Sequence, residues 1–461
     1  MAIPIEIRNV KRPTNTIVKL IGNKYSVIER VGCKRINGKN IPINGSVIGY
    51  IIDMKYVPKE NRKLDITMKN YGDYIFFNKL SSSIKEELYD CYDKKIADEI
   101  YAISLLRAMN NSLKDYQIEE AYNTSFISED MPSLSLSKNK ISTIISNIGK
   151  DYSKVLLFIQ NRVEKVEKNN KIAIDGMLKT NNSRINSLND FSYKSRIKST
   201  KDISILIAFN ATTKEIICSL PYSGNVVDIT SFPDFINKTG INKGIIIGDK
   251  GMNNGSGIEN IGYIFPIKRS SKIIKELNLL NMDSKLENKE QPILCKKVQH
   301  NDKFYYSFRD VKKAAKEEHD YTCRKKFDAE KLKDKRNKFG TIVYVSNQDM
   351  TCLEAYNLYK DRWEIELINK FYKDQLGLET VREHSDYSVY GSEFINMLSS
   401  IMACRIKNEF ENKNLFSEYT YGNLIKILKK YKKIKLPKKD DEWISIRLTK
   451  KEESILQLLN I

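Results

Sequence analysis

The segment YKDRWEIELINKFYK carries Tyr359, Arg362, Glu366 and Lys373 at the spacing Tyr-x2-Arg-x3-Glu-x6-Lys, with Lys370 between the last two. At about 100° per residue these side chains fall within an arc of roughly 80° on one helix face. One carboxylate among cationic and hydroxyl groups suits phosphoryl transfer on a polyanion. Glu366 would hold a divalent cation, and Arg362, Lys370 and Lys373 would hold phosphates on either side of the scissile bond. An exposed helix with i, i+4 ion pairs, such as Glu366 with Lys370, would carry the same residue types. Two aspartates favour the chemical reading: Asp175 follows the apolar run KIAI and Asp249 follows GIIIG. A strand end fixes a side chain on rigid backbone, so carboxylates from neighbouring strands can converge on one metal. Either aspartate alone would ordinarily be a turn former or a helix cap.

The elements that would position these groups can be traced by periodicity. Residues 1 to about 80 alternate apolar and polar side chains in short runs (NTIVKLIG, KYSVIERV, SVIGYIID), with Asn37-Gly38 and Asn44-Gly45 as expected hairpin turns. From about 81 to 165 the period changes to near 3.6, which reads as amphipathic helices, with a loop at Pro132. Strands follow at KIAIDGM, DISILIAFN, EIICSLPY, GIIIGDKGM and IGYIFPIKR, and the amphipathic stretch VVDITSFPDFINKTG lies between the third and fourth. Three strands, a helix and further strands in one mixed sheet are expected. A polar insertion runs from about 270 to 338 and ends in VKKAAKEEHDYTCRKKFDAEKLKDKRNKF, most of whose charge reads as a solvated helical face; TIVYVSN is another strand, and one long helix starts near Cys352. Ile365, Ile368 and Phe371 would seat that helix on the sheet. The last eighty or so residues read as helical, with a Lys-rich link at KKYKKIKLPKK.

A chain of 461 residues, 41% hydrophobic, can bury a substantial core in roughly two to four domains. Lys and Arg number 78 against 58 Asp and Glu, a net charge of +20, so a polyanionic partner is expected, nucleic acid first. An AT-rich coding sequence, which enriches Lys, Asn and Ile, would account for part of that excess. No stretch approaches the roughly 18 apolar residues of a membrane span, and MAIPIEIRNVKRP lacks the apolar run of a signal peptide, so a cytoplasmic protein is expected. The seven cysteines contain no CxxC pair, which fits reduced thiols. Cys295, His300, His319 and Cys323 could be read as a zinc set, but the spacing is loose and the second pair lies in a Lys-rich, helical stretch.

These motifs resemble the DDE transposases of the insertion-sequence-four group, whose hallmark is the Tyr-Arg-Glu-Lys spacing found here. The likeness extends to IAIDGM around Asp175, to Pro221, Gly224, Asn225 and Asp228 as a P-x-x-G-N-x-x-D element, and to GDKGM around Asp249. Lys250 stands where relatives carry Arg or Ala, and Gly391-Ser392 where they often show Gly-His. YIFPIKR and GTIVYVSN look like the strands flanking the family's insertion, and the likeness runs from about residue 165 to the C-terminus.

The resemblance implies an α/β fold: an RNase H-like mixed sheet with flanking helices, an insertion between Asp249 and Glu366, and an N-terminal β-hairpin and helical region. The domains would be a β-rich region at 1–80, a helical DNA-end-binding region at 81–165, a catalytic domain at 166–269 with 340–461, and an insertion at 270–339. Asp175, Asp249 and Glu366 would bind two Mg2+ or Mn2+ ions. Tyr359, Arg362, Trp363, Lys370 and Lys373 would contact DNA, with Trp363 either stacking on a base or packing against the core. Metal-dependent cleavage at transposon ends and transfer to target DNA are implied, by a homodimer on double-stranded DNA that recognises terminal inverted repeats. The competing readings are an RNase H-like nuclease that cuts without joining, and an inactive or domesticated DNA-binding relative.

Overall fold

The computed structural model describes residues 3–36, 39–59, 66–192, 194–195, 200–226, 228–252, 258, 261–287, 292–436 and 442–461. The chain divides into two units, Met1–Thr67 with Lys435–Glu442, and Met68–Ile434 with Trp443–Ile461.

In the smaller unit a short helix α1 (Ile5–Arg8) precedes four antiparallel strands in chain order: β1 (Thr16–Ile21), β2 (Lys24–Ile36), β3 (Lys39–Ile52) and β4 (Lys55–Pro58). Val18, Val27 and Ile51 form its core. Two of its turns use left-handed backbone, at Gly22 (φ 58°) and at Asp53 and Met54 (φ 44° and 59°). The expected turn at Asn44-Gly45 is corrected: both residues lie inside β3, where the ladder with β2 shifts register near Arg30 and Gly32. A Cβ on Gly45 would stand 2.6 Å from a Val31 methyl, so the glycine there serves a bulge. The other expected turn, Asn37-Gly38, lies outside the described residues.

In the larger unit β5 (Thr67–Asn70) is followed by helices α2 (Gly72–Tyr89), α3 (Lys94–Met109), α4 (Asp115–Thr124), α5 (Ile127–Asp130), α6 (Lys138–Lys150) and α7 (Tyr152–Glu164). Then come β6 (Lys171–Asn181), β7 (Asp202–Asn210), β8 (Glu215–Ser223), α8 (Asp228–Thr239), β9 (Ile245–Ile247) and β10 (Gly262–Pro266). The chain continues with α9 (Lys272–Glu276), β11 (Ser284–Lys285), β12 (Ile293–His300), β13 (Lys303–Asp310), α10 (Val311–Thr322), α11 (Ala329–Arg336) and β14 (Thr341–Ser346). It closes with α12 (Cys352–Lys360), α13 (Arg362–Asp374), β15 (Thr380–Val381), α14 (Asp386–Asn412), α15 (Tyr421–Lys430), two short strands β16 (Lys432–Lys435) and β17 (Ile444–Ser445), and α16 (Lys450–Leu458).

Ten strands form one mixed sheet in the order β11-β12-β13-β14-β10-β9-β6-β7-β8, with β15 also on β6. β6, β7 and β8 run antiparallel as a meander, while β9 joins β6 and β10 in parallel. That order, with helices flanking, is consistent with an RNase H-like core. β7 is buried at every position, as expected of a central strand covered on both faces. The insertion is mixed: its charged end forms α10 and α11, and strands precede them. β12 and β13 form a hairpin, and β13 pairs with β14, which pairs with β10, so the insertion continues the same sheet.

Three further expectations are corrected. The helix from Cys352 is two helices, parted at Asp361, whose carboxylate pairs with Lys171 at the start of β6 at 2.6 Å. Asp361 keeps helical backbone angles (φ −61°, ψ −16°), so Arg362 still falls three residues after Tyr359 on a nearly continuous helical path. Ile365 and Ile368 are buried as expected, but the third seating residue is Tyr372; Phe371 turns to Tyr421, ring centroids 4.9 Å apart. In the Lys-rich C-terminal link, Ile434 pairs with Ile444 as a short strand.

The long helix α14 packs on β8 and on α3 and α6. Its approach to α6 is close enough that a Cβ on Gly391 would meet the Ile145 carbonyl oxygen at 1.9 Å. Gly391 is therefore a packing glycine. Among the described residues no helix is long and apolar enough to cross a membrane.

Candidate active site

Sheet register brings the two aspartates together. Ala173 of β6 is level with Ile247 of β9, and the strands run parallel. Two residues farther along each chain come Asp175, still within β6, and Asp249, just past the end of β9. Asp175 is mid-strand, opposite Ile207 of β7, and not at a strand end as its sequence context suggests. The strand that ends is β9, at Ile247, where Gly248 starts the departure: a Cβ there would come within 2.6 Å of the Phe265 ring.

Glu366 arrives from α13, which packs on β6 through Ile365 and Ile368. The guanidinium of Arg362 lies where the three acids face one another. It donates to Glu366 Oε1 at 3.1 Å, stands 3.9 Å from Asp249 Oδ1, and acts electrostatically on Asp175. Tyr359 OH accepts from Arg362 Nε at 3.2 Å, and its ring stacks on Tyr344 with centroids 4.3 Å apart. Among the described residues no three acidic, His or Cys side chains are close enough to share an ion.

Burial pushes the Asp175 carboxyl up to about 6; Arg362 and the Gly176 amide pull it down, and the charges of Asp249 and Glu366 add to the rise. Asn369, one turn beyond Glu366, donates to Asp175 Oδ2 at 3.2 Å. Neither motif nor composition marked Asn369; its i+3 spacing from Glu366 is the only signal the sequence holds. Beneath the site, Lys179 donates to Tyr372 OH at 2.9 Å and to both oxygens of Glu393 at 2.7 Å. This solvent-free cluster joins β6, α13 and α14, so the elements bearing Asp175 and Glu366 are locked to one another two turns from the acids. It too was absent from the sequence reading.

Of the remaining expected residues, Trp363 borders the cleft beside Glu366. Trp363 is 66% exposed, which removes core packing as its role, while Lys370 is exposed and Lys373 half-buried. A cleft of about 290 Å³ runs from Glu366 and Arg362 past Trp363, Tyr359 and Tyr344 to Lys313 of the insertion. The P-x-x-G-N-x-x-D element serves the sheet end: Asn225 donates to Asp190 at 2.7 Å, Gly224 abuts the Asp202 carbonyl, and Asp228 opens α8. The four zinc candidates do not converge. Cys295 is buried on β12, His300 ends that strand, and only His319 and Cys323 are neighbours, on and just after α10.

Residues 171–390 match the family model of the transposase DDE domain. Over that stretch the chain is similar to the DDE domain of transposases. The match opens at the first residue of β6 and ends within α14, so it takes in Asp175, Asp249, Glu366 and the insertion between the last two. Transposases with this domain are enzymes that act on DNA in transposition and recombination, typically with divalent metals. No curated protein matches the chain. Three hard oxygen donors on separate elements are a donor set suited to Mg2+ or Mn2+. With the side chains of Asp249 and Glu366 45% and 40% exposed, both can reach an incoming ion.

Proposed function

We propose that this protein is a cut-and-paste DNA transposase of the insertion-sequence-four group. It would cleave at transposon ends and join them to target DNA. The observation that supports the reading is the grouping of Asp175 on β6, Asp249 just past β9 and Glu366 on α13 around the Arg362 guanidinium.

In this reading Asp175, Asp249 and Glu366 hold two Mg2+ or Mn2+ ions. When bound, the ions activate the attacking oxygen and stabilise the leaving one. The protein's own groups do the rest. Asn369 orients Asp175, and the buried Lys179–Tyr372–Glu393 cluster keeps α13 in place on β6. Arg362 exchanges its carboxylate partners for a DNA phosphate, with Tyr359 fixing its guanidinium plane, since a bidentate cation grips phosphate as well as carboxylate. Lys370 and Lys373 hold phosphates farther along the strand, and Trp363 stacks on a base. Paired ends require a homodimer on double-stranded DNA. Residues 1–80 and 81–165 supply recognition of the terminal inverted repeats, in a cytoplasmic protein associated with the nucleoid when acting.

The test is a strand-transfer assay with pre-cleaved ends and Mg2+. A transposase yields joined product. Cleavage without joining would indicate a nuclease, and salt-sensitive DNA binding with neither reaction would indicate a non-catalytic relative. Inverted repeats flanking the coding region, bounded by a short target duplication, would support the same conclusion from the genome.

A further inference from the structure

The two middle strands of the smaller unit outrun their neighbours. β1 pairs with β2 only from Lys24 to Glu29, and β4 pairs with β3 only from Gly49 to Ile52. Beyond them Gly32, Cys33, Lys34, Arg35 and Ile36 pair with Ile43, Pro42, Ile41, Asn40 and Lys39 and with nothing else among the described residues. These five rungs make a free two-stranded arm roughly 16 Å long at about 3.3 Å per residue.

The arm has no core of its own, because described residues on both of its faces are exposed, including Val31 at 60% and Ile41 at 47%. Arg30, Lys34, Arg35 and Lys39 give it four positive charges, and no acidic residue occurs from Arg30 to Ile52. A bare, uniformly cationic ribbon is a poor partner for a second copy of itself, since like charges would stand opposite one another across a shared edge. It is complementary to a polyanion. The major groove of duplex DNA, about 12 Å wide, admits a two-stranded β-ribbon.

Register decides which face would read. Cross-strand partners share a face, so Arg35 with Asn40 and Cys33 with Pro42 lie on one side, and Lys34 with Ile41 on the other. Arginine and asparagine are the side chains whose paired hydrogen-bonding groups match guanine and adenine edges. The bulges near Arg30 and Gly32 bend the ribbon where it leaves the sheet.

From these observations we infer that the β2–β3 arm enters the major groove of the duplex at the element's ends, with Arg35 and Asn40 on base edges and Lys34 and Lys39 on phosphates. The inference rests on the transposase reading and names the residues of the smaller unit that would recognise the ends.

The experiment uses the full chain and two duplex probes: DNA flanking the coding region, and a scrambled duplex of the same composition. Arg35→Ala and Asn40→Ala should each reduce the preference for the flanking duplex about tenfold while leaving scrambled-duplex binding in place. Lys34→Ala should weaken both equally and lower the salt slope by about one. In the wild-type chain, the flanking duplex should protect Cys33 from iodoacetamide more than the scrambled one does, a readout that no folding defect can imitate. Undiminished preference in both variants, or Cys33 alkylated equally with either duplex, overturns the arm assignment even when wild-type cleavage of the flanking duplex proceeds. If the wild type neither prefers nor cleaves the flanking duplex, the transposase reading and the arm assignment fall together.

Discussion

Lys179 donates to both carboxylate oxygens of Glu393 at 2.7 Å, with 0% and 2% of the two side chains exposed. A buried pair of this kind is costly to desolvate, and breaking it leaves one charge uncompensated. Tyr372 and Asn396 complete the carboxylate's hydrogen bonds at 3.3 and 3.0 Å, which is the condition for such a cluster to hold.

Glu393→Ala is therefore expected to destabilise the fold by about 3–5 kcal/mol, and Tyr372→Phe by about 1 kcal/mol. Urea unfolding followed by circular dichroism measures both. A Glu393→Ala midpoint equal to that of the wild type would remove the cluster's structural role.

The raised pKa of Asp175 has a definite sign in stability. Burial pushes its carboxyl up to about 6 in the fold from the ordinary 3.8, so between those values the unfolded chain binds fewer protons than the folded one. Stability then falls as pH rises from about 4 to about 6, and the penalty is complete above that window. Metal-free Asp175→Asn, which cannot ionise, should be more stable than wild type at pH 7, with the difference shrinking toward pH 4. Unfolding midpoints across that range check it; a gap that widens toward acid would contradict the assignment.

Arg362 compensates three acids in the metal-free protein. Arg362→Gln should lower the metal-free melting temperature and enlarge the upward shift on adding Mn2+, because the ions then replace charge that nothing else supplies. Cleavage should fall as well, since the phosphate contact is lost. A melting temperature and Mn2+ response unchanged from wild type would show that the guanidinium does not serve the carboxylates.

Lys373→Ala should weaken DNA binding uniformly across sequences and reduce the slope of log affinity against log salt by about one, as expected for one lost phosphate contact. Binding measured from low to high salt decides it. An unchanged slope would leave this lysine a solvent-facing charge.

The parts of the site legible in the sequence are those set by short-range periodicity. Glu366 and its neighbours stand out because helix geometry converts a spacing into a face, and the succession of strands along the chain follows from apolar runs with turn signals between them. Asp175 was misplaced within its strand because the sequence beyond it, GMLKTN, carries too few apolar residues to announce that β6 continues to Asn181. The strands β12 and β13 could not be placed from the sequence, because the lysines in them interrupt the apolar alternation that bounds a strand. Asn44-Gly45 misled because a glycine that relieves crowding at a bulge looks the same as one that makes a turn. Glu393 was invisible as the partner of Lys179, 214 residues away, since such a pairing depends on which elements the fold brings together.

The central claim, that Asp175, Asp249 and Glu366 share divalent cations, is tested most directly by counting Mn2+ bound to the protein on DNA by electron paramagnetic resonance. The account predicts two ions per site in the wild type and a loss of bound Mn2+ in each of Asp175→Ala, Asp249→Ala and Glu366→Ala, with DNA binding retained. Equal Mn2+ occupancy in the wild type and all three variants would contradict it.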